Sequence, residues 1–316
     1  MANTFYTAEQ VAKVAVAMAT QDSYLGALVN RNFENDLLGG GGKGRTVNVR
    51  IPSALIARTR GIDDISTNIV LDQLTESTVS VTLGEHLYNA VALSEGDLSL
   101  NLENFSKQVL APQVDAVVDS VEEEVAAALR AIALDTTIAW DEANPVATFT
   151  KIRQELRKRG VPQTGLNVVV GTNVYAALLD AKAITDASES GSTAALRDGN
   201  VGQIRGFQIV ESTRVDDDEI IAFHRDAFTL AVRAPIVPAG AAFGQSVSQG
   251  GYSLRYLRDY DVMKTVDRSM VSTFAGVAAM PLYKVERDYT AGTASVVEVP
   301  GGAAFRMSIG DAEPAA

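Results

Sequence analysis

Hydrophobic and polar positions along the chain fall into two rhythms, one of helical and one of strand period. The longest helical stretch runs from Asn101 to Leu134. Its apolar residues recur every third or fourth position, at Leu110, Val114, Val117, Val118, Val121, Val125, Ala128, Leu129 and Ile132. That spacing gathers them on one helix face, with Asp115, Asp119, Glu122, Glu123 and Arg130 assigned to the opposite face. Proline suits the first turn of a helix but breaks its middle. A strong helix is therefore predicted from Pro112 to Leu134, roughly 35 Å long at about 1.5 Å per residue. Leu102 to Leu110 becomes a separate turn or a kinked lead-in. Strand-like segments flank this helix on both sides, which suggests a spine on which sheets are hung.

Upstream, helical spacing covers Thr7 to Leu38, through Val11, Val14, Ala15 and Met18 and then Leu25, Leu28, Val29, Phe33 and Leu37. Such an arm packs either on its own chain or on a neighbour. Strict alternation follows at Arg45 to Ile51, Thr75 to Leu83 and His86 to Leu93, with a polar stretch rich in Asp and Thr in between. The pattern predicts a long two-stranded excursion. An isolated ribbon of this kind is marginal in water, so it requires a surface to lie on, either its own domain or a neighbouring subunit. Gly39, Gly40, Gly41, Gly42 and Gly44 precede it and read as a flexible hinge.

After the spine, Thr148 to Arg159 reads as a helix stopped by Gly160 and Pro162. Leu166 to Val170 is a short buried strand, Asn173 to Leu179 a helix, and Ala183 to Gly202 a polar loop. Phe207 to Ser212 and Glu219 to Phe223 are strands, completing an α/β unit of ordinary domain size. Strand patterns then dominate: Ala227 to Arg233, Tyr252 to Tyr260, Val262 to Phe274 and Leu282 to Val285, with a loop around Pro235, Pro238 and Gly240. Gly301 to Ala316 is small and polar, and is expected to be a loose end.

Composition narrows the chemistry. The 316 residues are 47% hydrophobic and 21% charged, the balance of a globular chain. There is no cysteine, which excludes disulfides, thiolate nucleophiles and cysteine zinc sites. A net charge of −12 argues against gripping nucleic acid by counterion release. The start lacks the pattern of a signal peptide, and no apolar run approaches the ~20 residues of a membrane helix, so a soluble chain with no membrane partner is expected.

Motifs for chemistry fail on inspection. In GGGGKG, Lys43 is followed by Gly44 where a phosphate loop needs Ser or Thr, and Leu37 stands at its first glycine position. His86 and His224 lie in unrelated segments, without the spacing of a metal pair. Asp216, Asp217 and Asp218 read as a solvated turn, and Glu122 to Glu124 as a solvated helix face. No nucleophile elbow or dinucleotide fingerprint appears. No catalytic, cofactor-binding or metal residue is assigned, and no enzyme is expected.

The order of elements is the stronger signal: arm, glycine-tethered hairpin, acidic spine helix, α/β domain, returning strands. In this order, VNVRIP (Val47 to Pro52), FSKQVLAPQVDAVVDSVEEEV (Phe105 to Val125), LNVVVGTNVYAALLD (Leu166 to Asp180) and GQIRGFQIVES (Gly202 to Ser212) resemble major capsid proteins of tailed phages. The chain is similar to that group's Hong Kong 97 fold, an α+β fold, and is nearest to the coat proteins of short-tailed phages.

The resemblance implies residues 1–44 as N-terminal arm and hinge, 45–94 as the extended loop lying over a neighbouring subunit, and 291–316 as a C-terminal tail. It implies 95–145 with 250–290 as the peripheral domain and 146–249 as the axial domain around five- and six-fold axes. It implies a coat protein that self-assembles as pentamers and hexamers into an icosahedral head, in the virion and, during assembly, in the host cytoplasm. Implied partners are further copies of the chain, a separate scaffolding protein, a portal, and DNA enclosed without sequence-specific binding; no cofactor is implied. Arg50, Arg58 and Arg60 are the expected contacts to acidic groups on neighbours. An encapsulin-like compartment shell shares the fold and remains the alternative, as does an enzyme with no nameable catalytic residue.

Overall fold

The structure is a computed structural model that describes residues 11–16, 24–31, 45–51, 53–66, 68–74, 77–96, 105–181, 202–241, 243–249 and 252–310. The glycine hinge and most of the expected arm lie outside these residues, as does the loop expected over 183–202, except for Gly202. The chain divides into two compact units, Met1–Val47 with Val81–Leu129 and Phe228–Ala278, and Asn48–Ser80 with Arg130–Ala227 and Ala279–Ala316.

The first unit is built on α1, Ala111–Arg130, with a wider helical turn over Ser106–Leu110 ahead of it. Pro112 explains that lead-in: its ring displaces the preceding carbonyls and it donates no hydrogen bond, so the last turn before it widens. Val114, Val117, Val118, Val121, Val125 and Leu129 are buried, as their spacing predicts. Beside α1 lies a sheet in the order β3–β11–β10–β9, with β8 also paired to β11. The strands are β3 (Glu85–Ser94), β8 (Phe228–Arg233), β9 (Phe243–Gln249), β10 (Tyr252–Asp261) and β11 (Val266–Ala279).

The ladders β3–β11, β11–β10 and β10–β9 are antiparallel. Gln113 ties helix to sheet: its Nε2 donates to the Ser269 carbonyl at 3.0 Å, and its Oε1 accepts from Ser269 Oγ at 2.7 Å. The strands returning after Tyr252 thus lie on the apolar face of α1.

Alternation predicts a strand but not its partner, and the hairpin region shows the consequence. β1 (Thr46–Ile51) pairs with β2 (Ser77–Thr82) as a separate two-stranded ladder. Its register sets Thr46 Oγ1 3.3 Å from Thr82 Oγ1, and Ser80 Oγ donates to Asn48 Oδ1 at 2.8 Å. β3, expected in the same excursion, instead lies along β11 from Glu85 opposite Ala275 to Ser94 opposite Val266.

The second unit holds a sheet in the order β14–β7–β4–β6–β5. Its strands are β4 (Leu166–Val170), β5 (Gln203–Ile204), β6 (Phe207–Glu211), β7 (Glu219–His224) and β14 (Ala304–Ser308). Only the β4–β6 ladder is parallel. The turn between β5 and β6 places Arg205 at φ 51° and Gly206 at φ 84°, a two-residue hairpin that needs left-handed backbone at both positions. The unit also contains α2 (Pro145–Lys158) and α3 (Thr172–Asp180). Asn144 caps α2 through the Ala147 N–H, and Pro145 sits where a missing N–H is harmless. Gly160, at φ 92°, ends it, with Val161 N donating to the Leu156 carbonyl in a Schellman closure. A separate antiparallel hairpin pairs β12 (Tyr283–Asp288) with β13 (Thr293–Glu298).

Two expectations are corrected here. Residues 301–310 are not loose: β14 adds to β7, and Phe305 and Met307 are buried in its core. The spine helix stops at Arg130, short of Leu134, and Arg306 takes the carbonyls of Arg130 and of Ile132 just beyond it. Arg306 Nη1 donates to the Arg130 oxygen at 2.6 Å and to that of Ile132 at 3.2 Å. Leu134 and Arg306 form an isolated parallel bridge beyond it.

Candidate assembly surfaces

Residues 53–66 and 68–74, between β1 and β2, form neither helix nor strand. Sequence reasoning treats them as polar, and their Asp, Asn, Ser and Thr content supports that. Set among those residues are Ile62, Ile65, Ile69, Val70, Leu71 and Leu74, and all are exposed. Ile65 keeps 96% of its surface and Leu71 87%. Scattered single apolar residues on a surface are ordinary, but a concentration of this kind on one loop marks a contact surface. The signal was legible in ISTNIVLDQL, where large aliphatic residues fit neither strand alternation nor a solvated turn.

Arg58 and Arg60, two of the arginines expected to meet neighbours, make contacts within the chain. Arg58 Nη1 lies 2.6 Å from Asp72 Oδ1, and its Nη2 donates to the Gly292 carbonyl at 2.9 Å. Arg60 donates to the Asp64 carbonyl within the same loop. Arg50 sits exposed on β1. The hinge of Gly39, Gly40, Gly41, Gly42 and Gly44 lies outside the described residues.

A second extension behaves differently. In residues 24–31, Leu25, Leu28, Val29 and Asn30 are buried. Asn30 bridges to Thr229 on β8, donating to the Phe228 carbonyl and accepting from Leu230 N, each at 3.0 Å. The Arg31 guanidinium lies 4.2 Å over the Tyr252 ring, a cation–π contact. Beneath them is Glu122, only 3% exposed. Its carboxylate accepts from Leu25 N at 2.5 Å, Gly26 N at 3.0 Å and Tyr252 Oη at 3.3 Å. Glu122 was assigned to the solvated face of the spine. Its position, four after Val118 and three before Val125, places it on the buried face instead, and backbone N–H donors make burial of the charge tolerable.

The other sequence candidates resolve into structural roles. The aspartate turn holds the start of α3: the Asp217 carbonyl accepts from Asn173 N at 3.1 Å, Asp217 Oδ1 from Thr172 Oγ1 at 2.7 Å, and Asp218 Oδ1 from Asn173 Nδ2 at 2.8 Å. The basic end of α2 is internally engaged, with Arg157 on the Val161 carbonyl at 2.6 Å and Arg159 on Asp135 at 3.3 Å and the Ala304 carbonyl at 3.1 Å. His86, on β3, lies tilted against the rings of Tyr88 and Phe274; burial and then the Arg255 charge lower its pKa. His224, on β7, accepts at Nδ1 from Asp226 N at 3.2 Å. Among the described residues, no three His, Cys, Asp or Glu side chains gather as metal ligands. No described helix is long and apolar enough to cross a membrane.

Comparison with known proteins then places the chain. The family model described as phage capsid protein matches residues 91–297. A solved structure from Mycobacterium phage Che8 aligns with a TM-score of 0.60 at 18% identity, over 97% of this chain and 94% of that one. The capsid of cyanophage P-SCSP1u aligns at 0.57 and 10% identity, over 84% of each chain. The mature capsid of bacteriophage PhiM1 aligns at 0.52 and 13% identity, over 84% of this chain and 82% of that one. No curated protein matches the sequence. The family match does not favour the compartment-shell alternative. The chain belongs to the phage capsid protein family: it is a structural coat protein with the Hong Kong 97 fold, a component of the virion shell built from many copies, and not an enzyme.

Proposed function

We propose that this coat subunit closes an icosahedral head by laying residues 53–74 on a neighbouring copy. The observation that carries this reading is the exposed cluster of Ile62, Ile65, Ile69, Val70, Leu71 and Leu74 on one loop. Burying such a side chain contributes about 1.5–3 kcal/mol. Each contact can still be weak, because a shell closes many of them together. The expected ion pairing of Arg50, Arg58 and Arg60 then gives register at most, since Arg58 pairs with Asp72 and the Gly292 carbonyl and Arg60 with the Asp64 carbonyl.

In this reading residues 95–145 with 250–290 are the peripheral domain, with the spine helix, and residues 146–249 the axial domain around five- and six-fold axes, except that β8 and β9 join the sheet of β10 and β11. The expected hinge of Gly39, Gly40, Gly41, Gly42 and Gly44, which lies outside the described residues, would serve to accommodate quasi-equivalent positions. A separate scaffolding protein and a portal direct assembly in the host cytoplasm. The net charge of −12 keeps the inner surface from gripping the packaged DNA, which is enclosed without sequence recognition.

Deleting residues 52–73 tests the reading. The shortened subunit is expected to keep its circular dichroism spectrum and to form no shells by electron microscopy when scaffold is supplied. Wild-type shell formation by the deleted chain contradicts the loop's role.

A further inference from the structure

Exposed apolar residues are useful at an interface only if the loop that carries them is held in one pose, since ordering a free loop on contact costs conformational entropy. The described residues of 53–74 join no ladder, yet they are braced from two sides. From the loop, Arg58 reaches the turn of the β12–β13 hairpin and donates to the Gly292 carbonyl at 2.9 Å. From the hairpin, Arg287 Nε donates back to the Leu55 carbonyl at 3.0 Å. The two arginines act reciprocally, each anchored on a backbone oxygen of the other segment.

Both ends of the brace are stiffened locally. Arg58 also pairs with Asp72 at 2.6 Å, which draws the two limbs of the loop together. Asp64 Oδ1 accepts from Ser66 N and Ser66 Oγ, each at 2.8 Å, in a turn at the loop's far end. In the hairpin, Asp288 Oδ1 accepts from Thr290 N at 2.8 Å and Ala291 N at 3.0 Å, and Gly292 takes φ 67°. That turn aims the Gly292 carbonyl at Arg58. The planar guanidinium, with several donors in fixed directions, suits this double duty in a way an ammonium does not.

We propose that the β12–β13 hairpin is a cradle that sets the pose of the assembly loop, with Arg58 and Arg287 as its positioning residues. This rests on the loop being the contact surface for a neighbouring copy. It assigns a task to residues 283–298, and a task to Arg58 different from pairing with a neighbour.

The test combines three variants, read by hydrogen exchange of the unassembled subunit and by light scattering during scaffold-driven assembly. R58A/R287A is expected to raise exchange across 53–74 by about tenfold, to leave β4 and β7 protected, and to slow assembly by about tenfold. The chain has no cysteine, so an added L55C/R287C pair in the R58A background reacts alone with a short bis-maleimide. That covalent brace is expected to restore the assembly rate, which it does not do if Arg58 acts on a neighbour directly. Unchanged exchange in R58A/R287A, raised exchange with wild-type assembly, or failure of the cross-link to rescue overturns the cradle. I65D/L71D keeps both arginines and tests the contact surface separately: if it assembles normally, the loop reading itself is wrong, whatever the exchange data show.

Discussion

Two extensions of this coat protein look alike as sequence and end in opposite environments. Residues 24–31 and residues 53–74 both carry aliphatic residues outside the main strands and the spine helix. In the first, Leu25, Leu28 and Val29 are buried on their own unit, and Glu122 and β8 satisfy the backbone. In the second, Ile62, Ile65 and Leu71 stand in solvent, held from behind by arginines. The difference teaches that an extension's polar partners decide its role. Where backbone donors find a buried acceptor, the apolar residues turn inward and stabilise the subunit. Where the polar groups merely brace the loop, the apolar residues remain available to another chain.

That contrast can be broken most forcefully at the exposed loop. I65D/L71D is expected to abolish shell formation, raising the concentration needed for assembly by more than about a hundredfold, while the subunit melts within a few degrees of wild type. Sedimentation velocity with scaffold present checks the first part and calorimetry the second.

Truncation on the buried side should act on stability instead. Leu28→Ala is expected to cost about 2–5 kcal/mol of unfolding free energy, and Ile65→Ala less than about 0.5 kcal/mol. Urea titration of the two variants side by side sharpens the comparison, and equal losses would erase it.

Glu122→Gln keeps the shape and removes the charge. It turns one acceptor into a donor facing backbone N–H groups, so a loss of about 1–3 kcal/mol is expected, with exchange rising first at the amides of Leu25 and Gly26. Protection at those amides that survives the substitution would show that packing alone holds the segment.

The smallest effect is expected at Thr229. Its buried Oγ1 has no hydrogen-bond partner among the described residues. Thr229→Val keeps the volume and removes the orphaned hydroxyl, so stability should hold or rise by up to about 1 kcal/mol.

Much of the fold was legible because periodicity reports burial. The valines of α1, the continuous run of β4 and the Pro–Gly punctuation of α2 each follow from local rules. What stayed hidden is non-local. β3 pairs with β11, far along the chain, and alternation alone cannot name that partner. β14 was passed over because AFRMS is short and follows glycines, although Phe305 and Met307 alternate as a strand's inner face should.

The proposed contact surface is harder to read, because charge points to Arg50, Arg58 and Arg60, and exposed arginines are ordinary, whereas exposed isoleucines among polar residues are the informative departure. Glu122 was misplaced because an acidic residue between acidic neighbours looks solvated until its helical position is compared with Val118 and Val125.

The central claim is that the apolar residues of the loop are covered by another copy of the chain in the shell. Photo-cross-linking in assembled particles tests it most directly, with benzoylphenylalanine in place of Ile65 and, as control, of Leu28. The account predicts covalent dimers from position 65 and only links within one chain from position 28. Links within one chain from both positions, in intact shells, would contradict it.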